Sequence, residues 1–326
     1  MKILLTGANG FVGSHILDQL RARNLPTAIL LRPTSNKRFL EPLGPEVEVR
    51  HGSVSDPAGL RVAMSGITHI IHCAGCTKAL RTSEFYEINH IGTRNVVEAA
   101  NANPGQVRRL VHISSLAAAG PGEPASPVRE DAPPRPVSEY GRSKLEGERE
   151  VRNHCRFEHV ILRPSAVYGP RDAGFLPLFK TVKCRLLPTP NRKQALSLIY
   201  VRDLAEVAMK CLELPAVAGK TYFVASEEVI TARGMADEIA SQMKIRAMPF
   251  PLPLAFLWQL CLAREIISRF TGKANILSLQ KFAELKAPGW VCDASLLRQE
   301  IGCECRTTLK AGIAGTLSWY RKEGWL

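Results

Sequence analysis

The chain has 326 residues, of which 45% are hydrophobic and 22% charged, a composition that excludes a disordered or collagen-like protein. This length can bury a large core and accommodates a nucleotide-binding domain together with a smaller substrate-binding part. The net charge is +13, but the basic residues form no dense run and no zinc-finger or RNA-recognition signature accompanies them, so we do not expect nucleic-acid binding.

Short apolar runs alternate with helical patterns through the first half of the chain. Strands are predicted at 2–6, 27–31, 47–50, 69–74, 109–114 and 159–163, and helices at 13–21, 57–64, 84–101 and 138–155. This alternation predicts an α/β fold with a doubly wound parallel sheet of the Rossmann type. A late strand at 220–225 is expected to return to the same sheet.

The second half of the chain is predicted to hold a smaller, mostly helical substrate domain. Proline and glycine residues punctuate the segment after Arg163, as is common in binding loops. The predicted division is a dinucleotide-binding domain of residues 1–168 and 196–226, and a substrate-binding domain of residues 169–195 and 227–326.

The segment Thr6-Gly-Ala-Asn-Gly-Phe-Val-Gly13 joins the first predicted strand to the first helix. Gly7 permits a tight turn, Gly10 lets the backbone approach a pyrophosphate, and Gly13 allows close packing of helix on strand. A glycine triplet gains specificity from this position between strand and helix. The predicted cofactor contacts in this turn are Gly7, Asn9, Gly10, Phe11, Val12 and Gly13.

The second strand ends at Arg32, where an enzyme specific for NAD would carry an acidic residue. A guanidinium at this position can pair with a 2′-phosphate, and Lys37 or Arg38 can assist, so NADP(H) is favoured and NAD(H) remains possible. Asp56 follows the third strand. Its carboxylate either accepts from the adenine amino group or caps the helix that starts at Pro57.

Tyr140 and Lys144 are four residues apart in a predicted helix, which places both on one face. A free tyrosine has a pKa of about 10, and a neighbouring ammonium stabilises its phenolate. The strand before this helix ends in Ser114 and Ser115, and a strand-end hydroxyl can polarise a carbonyl that receives a hydride. The residues alone do not separate the two serines.

Taken together, these motifs resemble the extended short-chain dehydrogenase/reductase superfamily, the NAD-dependent epimerase/dehydratase family. The segments 72–75, 89–95 and 163–170 agree with it. The resemblance implies that Ser115 is the catalytic serine, that Asn89 completes a proton relay or has a structural role, and that the protein is a homodimer. Further cofactor contacts that it implies are Val54, Asp56, Cys73, Ala74, Gly75, Pro164 and Val167.

Within this superfamily, the apolar segment 249–270 and the ending Trp319-Tyr-Arg-Lys-Glu-Gly-Trp325 resemble the dihydroflavonol reductase and 3β-hydroxysteroid dehydrogenase branch. The apolar Ser115-Leu-Ala-Ala-Ala-Gly120 differs from the more polar segment that sugar-nucleotide enzymes carry there. The reductase and dehydrogenase branch implies a hydrophobic ketone or secondary alcohol as substrate, contacted by Leu116, Arg171 and Leu254. Sugar-nucleotide enzymes of the superfamily carry a diphosphate-binding arginine near the strand at 196–201, and Arg192 or Arg202 is a candidate for it. A sugar-nucleotide epimerase or dehydratase is therefore the alternative. A non-catalytic sensor or structural subunit is the second alternative, although such proteins commonly lack the tyrosine or the lysine.

The nine cysteines are scattered and odd in number, which favours a reduced compartment and structural thiols, and no metal site is predicted. The N-terminus leads directly into a strand, so a cytoplasmic location is expected. Prolines and charged residues interrupt the apolar run of the segment 249–270 well short of the ~20 residues that would cross a bilayer. We expect a buried helix that lines an apolar pocket, with a helix resting on a membrane surface as the alternative.

Overall fold

In the computed structural model the described residues are 1–40, 43–103, 105–189, 194–251, 253–272 and 279–326. Their strands are β1 (Ile3–Thr6), β2 (Thr27–Leu31), β3 (Val47–His51), β4 (His69–His72), β5 (Arg109–Ile113), β6 (Glu158–Pro164), β7 (Ala166–Tyr168), β8 (Leu186–Thr189), β9 (Ala195–Tyr200), β10 (Thr221–Val224), β11 (Val229–Thr231), β12 (Met248–Pro251) and β13 (Gly289–Trp290). Their α-helices are α1 (Phe11–Ala22), α2 (Pro57–Ala63), α3 (Thr82–Tyr86), α4 (Gly92–Asn101), α5 (Leu116–Ala119), α6 (Glu139–His154), α7 (Leu176–Lys183), α8 (Val201–Glu213), α9 (Ala232–Met243), α10 (Leu254–Thr271), α11 (Leu279–Leu285), α12 (Ser295–Ile301) and α13 (Leu309–Lys322).

The main sheet has the order β10-β6-β5-β4-β1-β2-β3, and its strand pairs are parallel. The order 3-2-1-4-5-6 within this sheet is that of the Rossmann fold, so the predicted fold class is confirmed. β1 and β2 are buried along their whole length because helices cover both faces of the sheet. The parallel strands deliver all their carboxyl ends to one edge.

Two hydrophobic cores hold the helices on the sheet. On one face, Ile16 and Leu20 of α1 pack with Leu204 of α8. On the other face, Leu60 of α2 and Val96 of α4 pack in a second cluster with residues of α6. These apolar positions recur at helical spacing, which is why their helices lie flat on the sheet.

A second group of elements surrounds β9, which pairs with β7, β11 and β13, while β8 pairs with β12. The sequence division assigned β9 to the dinucleotide-binding domain, but the strand lies in this second sheet. The neighbouring α8 and β10 lie with the main sheet. The substrate part therefore contains short strands in addition to the predicted helices.

The apolar segment 249–270 forms β12 and α10, and it is not buried. Leu257, Cys261 and Ser268 face the protein, whereas Phe256 and Phe270 are exposed. The expectation of a buried helix is wrong in this respect, because α10 is covered on one side only, where it packs against α11. Among the described helices none is both long and apolar enough to cross a membrane.

Candidate active site

The turn between β1 and α1 needs its glycines. Gly7 has φ +74°, and a Cβ there would lie 2.7 Å from the backbone nitrogen of Ala74. A Cβ at Gly13 would lie 2.1 Å from the carbonyl oxygen of Gly7. At Gly10 the nearest atom is 3.2 Å away, and no side chain caps the first turn of α1. The uncapped amides beside a residue without a side chain fit the pyrophosphate of a dinucleotide.

The carboxyl end of β4 is tied to this turn. The Thr6 hydroxyl oxygen accepts from the backbone N–H of Ala74 at 3.1 Å and lies 2.7 Å from Nδ1 of His72. Thr93 lies 3.0 Å from the other nitrogen of the His72 ring. Cys73 and Gly75, which flank Ala74 in the chain, therefore lie beside the glycine turn, as the predicted cofactor site requires.

The remaining predicted cofactor contacts have different surroundings. Arg32 is exposed after β2, and its guanidinium forms no ion pair with the described residues. Asp56 caps α2, accepting from the N–H groups of Ala58 and Gly59 at 3.2 and 3.1 Å. Of the two roles predicted for Asp56, adenine contact and helix cap, this is the helix cap. The carbonyl oxygen of Val54 accepts from the side chain of Asn95 at 2.9 Å.

The segment after β6 carries an unsatisfied polar group. Pro164 is buried, and Val167 packs on the hydrophobic core that contains α1 and α8. The hydroxyl oxygen of Ser165 is buried without a partner among the described residues. A buried hydroxyl without a partner is unusual. Its place between two predicted cofactor contacts fits a site that a polar ligand completes.

The two candidate serines have different partners. Ser114 is buried, and its hydroxyl donates to Oε1 of Glu148 at 2.6 Å. Ser115 caps α5, where its oxygen accepts from the N–H of Ala117 at 3.1 Å, and its hydroxyl also interacts with Tyr140, favouring the phenolate and opposing a rise in the pKa of the phenol. The geometry therefore associates Ser115, and not Ser114, with the tyrosine.

Close helix contacts place Tyr140 beside Ser115. A Cβ at Gly141 would lie 2.3 Å from the carbonyl oxygen of Ala117, so α6 can approach α5 this closely only with glycine there. The ring of Phe85 lies 6.1 Å from the ring of Tyr140. Burial raises the pKa of Tyr140 to about 12, although the Ser115 hydrogen bond opposes the rise. The phenol is therefore protonated at neutral pH.

Lys144 lies one turn further along α6, and 4% of its surface is exposed. Its ammonium donates to the carbonyl oxygen of Ile113 at 2.7 Å, at the end of β5. Burial lowers the pKa of Lys144 to about 8, against a smaller opposing effect of Cys73. The side chain thus carries a charge at pH 7 in a site from which most water is excluded.

Asn89 lies in a π-helical turn, residues 87–91, between α3 and α4. Its side-chain oxygen accepts from the N–H of Cys76 at 2.7 Å, and its amide donates to the Cys76 carbonyl and to the Ser143 hydroxyl, each at 2.9 Å. A Cβ at Gly75 would lie 3.2 Å from that oxygen and 3.9 Å from Nζ of Lys144. Asn89 therefore fixes the loop that faces Lys144, in keeping with a structural role.

The predicted substrate contacts are not brought together. Leu116 is buried in a cluster with Phe223, Arg171 pairs with Asp18 at 2.8 Å, and Leu254 is exposed on α10. Arg192 lies outside the described residues. Arg202 is exposed in the first turn of α8.

Sequence reasoning missed two carboxylates of this site. Glu148 is fully buried and accepts from Arg163 at 2.9 and 2.7 Å as well as from Ser114. Burial alone would raise its pKa, but the two arginines Arg163 and Arg152 hold the pKa below its usual value. The spacing Tyr140, Lys144, Glu148 along one helix face was the available signal. Glu284 of α11, which accepts from Ser138 at 2.8 Å, had no local signal.

A Rossmann-type sheet whose carboxyl edge carries a glycine turn, a strand-end serine and a Tyr-x-x-x-Lys helix defines an extended short-chain dehydrogenase/reductase. The model of the NAD dependent epimerase/dehydratase family matches residues 3–225, and the chain belongs to this family of NAD-dependent enzymes.

Relatives of known name and a solved structure extend the likeness over nearly the whole chain. Ceramide reductase of Caulobacter vibrioides is 28% identical over 99% of this chain and 96% of its own. UDP-glucose 4-epimerase of Vibrio cholerae is 26% identical over 84% and 87%. The Bordetella bronchiseptica enzyme WbmG, solved in complex with NAD, superposes with a TM-score of 0.80 at 23% identity, over 100% of this chain and 95% of that one.

Proposed function

We propose that the protein transfers a hydride between NADP(H) and a ketone or secondary alcohol on a hydrophobic, lipid-like substrate. The observation that carries the proposal is the close packing of α5 on α6 at Gly141, which sets Ser115 beside Tyr140, one helical turn from the buried ammonium of Lys144. This pairs a carbonyl-polarising hydroxyl with a proton donor at the edge where ligands bind in open α/β sheets.

In the direction of reduction, Ser115 donates a hydrogen bond to the substrate oxygen on which negative charge develops. Tyr140 then gives its proton to that oxygen, and its raised pKa means that the proton is present at neutral pH. The bound dinucleotide supplies the hydride. The positive charge of Lys144 stabilises the phenolate that remains.

The glycine turn and the uncapped start of α1 would hold the cofactor pyrophosphate, and Lys144 would hold its nicotinamide ribose. Arg32 favours NADP(H) because its guanidinium is exposed at the end of β2, beside the turn, without an acidic partner among the described residues. NAD(H) is the alternative cofactor, in line with the NAD-bound neighbour.

Two observations support a hydrophobic substrate. The residues after Ser115, Leu116 to Ala119, are apolar and buried, so this segment offers no side-chain polar group to a sugar. The named relative that matches this chain at 28% identity over 99% of its length is a ceramide reductase, whose name gives a lipid substrate.

A steady-state assay with NADPH and NADH tests the proposal on a panel of N-acyl 3-ketosphinganine, 3-ketosteroid, flavonoid and β-ketoacyl substrates, with UDP-glucose as comparison. We expect turnover of at least one lipid ketone, and Tyr140→Phe should lower it about 100- to 10,000-fold while cofactor binding persists. Turnover of UDP-glucose alone would replace the proposal with an epimerase.

A further inference from the structure

The outer side of β12 and α10 is an apolar surface on the outside of the protein. Among its members, Met248 is 71% exposed, Phe256 51%, Ile267 50% and Phe270 88%. We call it the α10 surface; its exposed apolar residues are Leu186, Met248, Phe250, Leu254, Phe256, Trp258, Ile266, Ile267 and Phe270. An exposed apolar area of this kind marks an interaction site.

Helical spacing shows that the exposure is a face and not a scatter of residues. Phe256, Ala263, Ile267 and Phe270 are separated by seven, four and three positions, so they follow one side of α10. The opposite side carries the buried Leu257, Cys261 and Ser268 noted above. A helix on the surface of a globular protein normally has polar residues on its outer face, and α10 has apolar ones.

The β8–β12 pair continues this surface. Met248 lies beside Leu186 in the parallel register, and β12 ends at Pro251, three positions before α10 begins at Leu254. Leu186 is 42% exposed, like Leu254. The apolar side chains of the pair and of the helix are thus continuous along the chain and across one strand pairing.

Basic residues are interspersed in the chain segments that form the α10 surface. The segments 176–189 and 244–272 contain seven Lys or Arg residues and one acid, Glu265. The six basic side chains described there form no ion pair with a carboxylate of the described residues, and all six are exposed: Lys180, Lys183, Arg185, Lys244, Arg246 and Arg264. Exposed aromatic and aliphatic residues bordered by unpaired cations are complementary to an anionic lipid surface.

The α10 surface is connected to the active site through α11. Glu265 of α10 accepts from the N–H of Leu279 at 3.1 Å, where α11 begins. In α11, Glu284 accepts from Ser138, the residue that caps the helix of Tyr140. One helix therefore separates the α10 surface from the N-terminus of the catalytic helix.

We propose that the α10 surface docks the protein peripherally on anionic membranes, with Trp258 and Phe270 at the lipid interface. A second copy of the chain is the competing occupant, but the surplus of basic residues would meet itself across such an interface and repel. Docking requires no turnover, so its test does not depend on the proposed activity.

Vesicle co-sedimentation of the full chain tests the proposal, with equimolar phosphatidylglycerol and phosphatidylcholine against phosphatidylcholine alone. We expect binding to the anionic vesicles that weakens with salt. Ile267→Asn/Phe270→Asn and Lys183→Ala/Arg246→Ala should each lower it at least about tenfold. The matched control Val62→Asn/Val229→Asn removes two exposed apolar residues outside the surface and should bind like wild type.

Two readouts protect the test from misfolding and from the alternative occupant. Each variant must keep the wild-type unfolding temperature, and if the apolar pair does not, the single Phe270→Ser change replaces it, since that side chain is 88% exposed. Tryptophan fluorescence should shift to the blue on anionic vesicles, and Trp258→Phe should abolish most of the shift. Absence of wild-type vesicle binding, unchanged binding of the apolar variant, or a dimer that this variant dissociates without any vesicle binding would overturn the proposal.

Discussion

The two adjacent serines at the end of β5 give the sharpest prediction. Ser115→Ala removes the hydroxyl beside Tyr140, whereas Ser114→Ala removes a donor to the buried Glu148. Loss of one donor to a developing oxyanion costs about 100- to 1,000-fold in kcat. Loss of one donor to a buried carboxylate that keeps its arginine bonds costs about 1–2 kcal/mol in the free energy of unfolding. The serine at 115 should therefore affect mainly the rate, and that at 114 mainly the stability.

Steady-state kinetics and thermal unfolding of both variants separate these effects, and a fluorescence titration with NADPH controls for cofactor binding. Ser115→Ala should keep its cofactor affinity and lose kcat, and because it also removes the acceptor for the N–H of Ala117 it should cost about 1 kcal/mol in the free energy of unfolding. Ser114→Ala should unfold a few degrees earlier, about 2–5 °C, with kcat within a few-fold of wild type. A larger loss of kcat in Ser114→Ala than in Ser115→Ala would refute the assignment.

Three further variants follow from the site. Gly13→Ala should lower the unfolding temperature strongly, because its Cβ would lie 2.1 Å from the Gly7 carbonyl oxygen. Gly10→Ala, whose Cβ would lie 3.2 Å from the same oxygen, should lower it less and lose NADPH affinity; equal unfolding temperatures of the two variants would contradict this. Lys144 has a pKa of about 8 in the folded state and about 10.4 as an ordinary lysine, so the folded state releases this proton first as pH rises. Between these two pH values the wild type should therefore gain free energy of unfolding relative to Lys144→Met. Urea unfolding across this range measures the difference, and parallel pH profiles of the two proteins would argue against the burial effect. Arg32→Glu should lower the ratio of kcat/KM for NADPH to that for NADH about tenfold or more, and an unchanged ratio would remove Arg32 from cofactor choice.

The main sheet could be predicted from sequence because its signals are local. Apolar runs such as Leu4 to Thr6 are short and bounded, and the helices between them repeat their apolar residues at helical spacing. The glycine turn and the Tyr140–Lys144 pair are similarly contained in a few residues. Family resemblance singled out Ser115, and the structure supplies a physical reason by engaging Ser114 with Glu148.

The features that sequence reasoning missed depend on distant contacts. Glu284 reaches Ser138 across 146 residues of chain, and no local pattern marks such a pair. The pairing of β9 with β7, β11 and β13 could not be predicted because an apolar strand does not specify its partners. The burial of α10 was misjudged because apolar composition is the same for a core helix and for one that faces a membrane or a partner.

The central claim is that Ser115, Tyr140 and Lys144 serve net hydride transfer to a hydrophobic carbonyl. Incubation with NADPH deuterated at the transferred position, followed by mass spectrometry of a lipid ketone substrate, measures that transfer directly. We predict one deuterium on the carbinol carbon of the product, with stoichiometric NADP⁺ formation, and loss of both in Tyr140→Phe. A protein that converts only a sugar nucleotide, with no net oxidation of the cofactor, would contradict the account.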